Sequence, residues 1–133
     1  MAPTIARVQR PTPAESPPVE VVYLFSRECP SHEEGRELID AASRASGVPV
    51  TVRPVEVTTD AQAQELRFPG SPTYLVDGDD LAVPDPLVPH RMDVCRAYEL
   101  PDGRIGPLPA MTQLATALSE ANARRSPTQE VET

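Results

Sequence analysis

The chain has 133 residues and a net charge of −8, with 39% apolar and only 4% aromatic residues. That balance argues against nucleic acid and anionic membrane surfaces as partners, because both reward clustered Lys and Arg. No apolar run reaches the roughly 18 residues of a membrane helix, and the N-terminus lacks the apolar core of a secretion signal. A cytoplasmic protein is therefore expected, in which two cysteines are free, redox-active or metal-binding rather than a structural disulfide.

Five of the 17 prolines fall within residues 1–18. That stretch is expected to be a disordered tail, and residues 124–133 a polar one. One domain remains, residues 19–123, long enough for a small aliphatic core.

The first element is a strand over 19–26, VEVVYLFS, β-branched and apolar on both faces. A helix follows over 31–46, with Ser31 and Glu34 at capping-box spacing and an apolar stripe of Leu38, Ala41, Ala42 and Ala45. Gly47 has the place of a helix-ending residue. Residues 48–57 read as a second strand. Its alternating valines are interrupted by Pro54, which suits a sheet edge. A short helix then starts at Thr59, with Gln62 at capping-box spacing. Residues 73–77 read as a third strand, 78–92 as a long loop and 93–99 as a fourth strand. The sequence PDG at 101–103 marks a turn. A last helix carries Met111, Leu114, Leu118 and Ala121 on one stripe. The order is β-α-β-α-β-β-α, an α/β fold.

Three motifs in that order resemble the thioredoxin-like superfamily. They are Cys29-Pro30 after the first strand, FPGSPT at 68–73 before the third, and Cys95-Arg96-Ala97-Tyr98 late in the chain. Within the superfamily, they resemble small bacterial proteins, some with selenocysteine at the first cysteine. The resemblance covers residues 19–123. It implies a four-stranded mixed sheet in the order 2-1-3-4 with flanking helices. It also implies that Pro72 is a cis-proline. Ser71, Pro72 and Thr73 would then lie beside Cys29, where a bound peptide or thiol adduct can pair. The C-x-x-C pair of thioredoxin itself is absent, and His32 stands in its second position.

Cys29 precedes a helix, where unpaired N–H groups stabilise a thiolate. Arg27 and a protonated His32 push the same way, while Glu28, Glu33 and Glu34 oppose them. His32 is one turn from Cys29 and can exchange its proton, or it is simply a solvated helix residue. Cys95 is either a resolving thiol or a small core residue. In a 2-1-3-4 sheet, strands one and four are two spacings apart, roughly 10 Å. A disulfide needs Cα atoms within about 7 Å.

The expected function is thus a thiol-redox protein. Cys29 forms a mixed disulfide with a disulfide, thiol or other oxidised sulfur substrate. An external small-molecule thiol releases it, with Cys95 as the intramolecular alternative. The other reading is non-catalytic: a module that binds a partner protein, or a thiol site that captures a soft metal with help from His90. No metal or other cofactor is expected, because no ligand spacing such as C-x-x-C is present. Asp77, Asp79, Asp80 and Asp85 lack the pattern of a calcium loop and read as solvated.

Overall fold

The computed structural model describes residues 17–125. Residues 1–16 and 126–133, the bulk of the two expected tails, lie outside the described residues.

Strand β1 (Val19–Phe25) forms from the apolar run and lies inside the sheet. Its alternation sends Val19, Val21, Tyr23 and Phe25 to one face and Val22 and Leu24 to the other. Helix α1 (His32–Ser46) follows and ends at Gly47, which takes the left-handed conformation (φ 74°) and donates its N–H to Ser43 O. The expected capping box at its start does not form. Ser31 has φ −98° and ψ 8°, not the extended backbone that aims a cap hydroxyl at the first turn, and its side chain makes no capping bond. The buried face of α1 is Gly35, Ile39 and Ala42. Leu38 and Ala41 are partly buried and Ala45 is exposed, so the stripe is rotated from the expected one.

Strand β2 (Val50–Glu56) runs parallel to β1 and is a sheet edge, with Pro54 exposed. Helix α2 (Asp60–Leu66) begins as expected. Thr59 is extended, and its side chain accepts the Gln62 N–H at 3.0 Å. Strand β3 (Thr73–Val76) pairs antiparallel with β1.

The fourth strand is not where periodicity put it. Asp77 and Gly78, both with positive φ (49° and 91°), make a two-residue hairpin turn. The chain returns as β4 (Asp79–Asp80), pairing antiparallel with β3. The sheet is four-stranded and mixed, in the order β2-β1-β3-β4. Residues 93–99 supply only β5 (Tyr98–Glu99), which pairs with β6 (Ile105–Gly106) in a separate small hairpin across the expected turn. Helix α3 (Met111–Arg125) closes the fold and runs two residues past the domain end expected at 123.

Helices α1 and α3 cover one face. Ile39, Ala42, Leu114, Leu118 and Ala121 pack there on β1 and on Tyr74 and Val76 of β3. A smaller cluster, Leu24, Val57, Ala63 and Phe68, fills the other face with Met92 against it. Phenols fasten α1 to the sheet. Tyr74 OH donates to Gly35 O at 2.7 Å, and Tyr23 OH donates to His32 O. Gly35 permits this approach, since a Cβ there would lie 2.5 Å from the Tyr23 oxygen and 3.0 Å from that of Tyr74. The start of α1, and with it Cys29, is therefore fixed from below by the core.

Among the described residues, no helix is long and apolar enough to cross a membrane.

Candidate functional site

Cys29 sits in a tight turn between β1 and α1. Its N–H donates to Ser26 O at 3.0 Å, and its carbonyl accepts the His32 N–H at 3.2 Å. Ser26 is buried and ties this turn to a second loop, because its N–H donates to Ser71 Oγ at 3.0 Å. The Ser71–Pro72 peptide is cis. The Cys29 thiol points at this loop and donates to Ser71 O at 3.7 Å. Cys29 is only 3% exposed.

The main chain of Ser71 is already paired. Its N–H donates to Val94 O and its carbonyl accepts the Arg96 N–H, both at 2.9 Å. These bonds form an isolated parallel bridge between Ser71 and Cys95. The place expected to receive a bound peptide is thus filled by the chain's own residues 94–96. Thr73 is likewise used internally: its hydroxyl donates to Gly70 O at 2.7 Å and accepts from Arg96 Nη1 at 3.1 Å.

This pairing removes the premise of the expected spacing, because Cys95 does not lie on the fourth strand of the sheet. It lies one bridge from Ser71, the residue whose carbonyl the Cys29 thiol touches. Both thiols are free, Cys29 buried and Cys95 exposed. The Cys95 pKa is raised above its ordinary value. Burial of the sulfur is the largest cause, followed by the charge of Cys29, a hydrogen bond with the Cys29 thiol, and the charge of Asp93. Cys95 is exposed as a residue, and its main chain bridges to Ser71.

His32 is half-buried. Its ring stacks on Phe25, with centroids 5.5 Å apart and planes at 20°. Among the described residues, no hydrogen bond joins its imidazole to either sulfur. It lines a recess of about 230 Å³ with Tyr23, Phe25, Arg27, Glu33 and Arg36, which flanks the turn but does not include Cys29. Tyr23 and Tyr74 reach toward Cys29 from the core. Burial chiefly raises both phenol pKa values, and the Cys29 charge adds to the rise. Both remain protonated donors.

Among the described residues, no cluster of three or more His, Cys, Asp or Glu side chains could hold a metal ion. His90 is exposed in the loop and does not join the thiols in such a cluster.

Three residues matter here that sequence reasoning did not assign. Arg96 is buried and bonded to Asp80. Asp80 was expected to be solvated. Gly70, within the FPGSPT motif, lies against the Arg96 backbone. No family model, curated protein or solved structure matches the chain.

Proposed function

We propose that the chain is a thiol-redox protein of the thioredoxin-like kind, with Cys29 and Cys95 as its dithiol–disulfide couple. The placement of both cysteines at Ser71 carries this reading: its carbonyl accepts the Cys29 thiol, and its main chain bridges to Cys95. The sheet order and the cysteine at the strand–helix junction support the likeness.

In the reducing direction the substrate is a disulfide, R–S–S–R′. The Cys29 thiolate attacks one sulfur, giving Cys29–S–S–R and releasing R′S⁻. Cys29 suits this step by its place in the turn between β1 and α1, beside the Ser71 carbonyl. The Cys95 side chain turns outward to admit the substrate. Before attack, Cys95 is kept protonated by burial and by the Cys29 charge. Once Cys29 carries the adduct, its charge is gone and that part of the restraint disappears. Cys95 then gives up its proton to solvent and attacks the Cys29 sulfur. The Cys29–Cys95 disulfide forms and RS⁻ leaves. Two electrons have passed from the protein to the substrate, and an external dithiol or two small thiols return them. The external thiol thus restores the couple rather than releasing each adduct.

The test is mass spectrometry of the reduced protein after exposure to a small aromatic disulfide. The wild type should lose two hydrogens and keep no adduct. Cys95→Ser should stall with the aromatic thiol on Cys29, and Cys29→Ser should show little turnover. A wild-type mass that stays at the dithiol value overturns the reading. So does equal turnover by Cys29→Ser.

A further inference from the structure

Arg96 is 6% exposed and follows Cys95 directly. Its guanidinium is held through both Nη atoms. Nη1 donates to both Asp80 carboxylate oxygens, at 2.9 and 3.1 Å, and to Thr73 Oγ1 at 3.1 Å. Nη2 donates to Ala82 O at 2.9 Å. The group also lies 5.0 Å from the centre of the Tyr98 ring. A buried ion pair is a poor way to gain stability, because desolvation offsets much of the attraction and apolar packing often does as well. What it supplies is geometry, since a planar fork meets its acceptors in one arrangement.

That arrangement sets the backbone beside Cys95. The Arg96 N–H is one of the two bonds of the Ser71 bridge. A second, independent constraint acts at the same point. Gly70 has φ 130°, and a Cβ there would lie 3.0 Å from Arg96 N, 3.1 Å from its Cα and 3.2 Å from its Cβ. The missing side chain lets the two backbones come this close.

We propose that Arg96 is a positioning residue for Cys95. Its buried fork, with Gly70 leaving room, holds residues 94–96 against Ser71 so that the two thiols meet before any substrate arrives. The inference rests on the thiol couple described above. A resolving thiol held in place closes the disulfide without a search, and prepositioning of this kind raises effective concentration. Besides the fork, the segment is held by main-chain bonds and, three residues on, by buried Tyr98, whose OH donates to Pro72 O at 2.6 Å.

The experiment is equilibration with glutathione. Protein dithiol and one oxidised glutathione give protein disulfide and two reduced glutathiones, and acid trapping reads the ratio. Arg96→Met should lower the equilibrium constant about tenfold, or about 30 mV for a two-electron couple. Arg96→Lys should lower it less, since an ammonium can still reach Asp80 but cannot reproduce the fork. Gly70→Ala keeps the buried charge and should lower it in the same direction. Far-UV circular dichroism identifies the variants that are folded. Should Arg96→Met not fold, the other two carry the test. Wild-type constants in folded Arg96→Lys and Gly70→Ala overturn the positioning role and leave the thiol couple standing. Failure of the wild type to form any Cys29–Cys95 disulfide overturns the couple itself, and the positioning role with it.

Discussion

Cys29 follows an interior strand and precedes a helix whose first turn is pinned by two tyrosine hydroxyls. Cys95 lies in a stretch of 17 residues, 81–97, with no regular strand or helix between β4 and β5. The first position is held chiefly by apolar burial. Between the packed side chains of Met92 and Tyr98, the second relies on polar contacts: the Ser71 bridge, the Arg96 fork, and the Met92 N–H donating to Asp60 Oδ1 at 3.0 Å. Apolar burial is non-directional and large in sum. Polar contacts each add little net energy but fix direction. The proposed couple thus joins a sulfur fixed chiefly by the core to one fixed largely by hydrogen bonds, and the two should respond to different mutations.

The sharpest separation comes from the core. Leu118 is fully buried under the sheet. Leu118→Ala should cost about 3 kcal/mol in urea denaturation. The glutathione equilibrium of the folded protein should not move. A shift in that equilibrium would show that the core also sets the Cys95 position, and would erase the contrast.

The next effect concerns ionisation. Cys29 holds the Cys95 pKa up, by charge and by a hydrogen bond. Cys29→Ala removes both influences, so the Cys95 pKa should fall. At pH 8 more of it is then thiolate, and iodoacetamide should alkylate it severalfold faster than in the wild type. The whole rate–pH curve should move to lower pH. An unmoved curve would mean that the sulfurs do not sense each other.

Smaller effects bear on α2, which lies between the two regions. Thr59→Ala removes the cap of a seven-residue helix and should cost about 1 kcal/mol in denaturation. Asp60→Ala frees the Met92 N–H at an exposed site and should cost well under about 1 kcal/mol. Its signature should be faster hydrogen exchange at Met92, with Cys29 N–H protection unchanged. Equal changes at both amides would mean that the two regions open together.

The comparison also explains what was legible in the sequence. Elements on the Cys29 side could be read because burial leaves a period. A β-branched run apolar on both faces marked β1, alternating valines marked β2, and Leu114, Leu118 and Ala121 marked α3. Sheet order followed from the motif resemblance, and the structure has that order. The Cys95 side has no such period. Strand β4 is two aspartates, too short and too polar to alternate, although the Asp77-Gly78 turn before it is a strong hairpin signal. Residues 93–99 look like a strand because Val94 and Tyr98 favour one, but their partner is a loop residue, Ser71. Asp80 was one of four aspartates in one stretch. Nothing local marks it as the one that meets an arginine 16 residues later.

The edges of the sheet give the Arg96 fork a further meaning. Strand β2 protects its own edge with Pro54 and with the Arg53–Glu20 pair at 2.9 Å, features that discourage another strand from adding there. The opposite side has only the two residues of β4, and the approach to β3 at Ser71 is covered by residues 94–96. If that cover lifts, an N–H and a carbonyl lie open beside a thiol. A strand from a second molecule can then pair at Ser71 and be joined to Cys29 by a disulfide. Loosening the fork should therefore appear in concentrated, oxidised solutions as covalent dimers, with colloidal behaviour changing alongside redox balance.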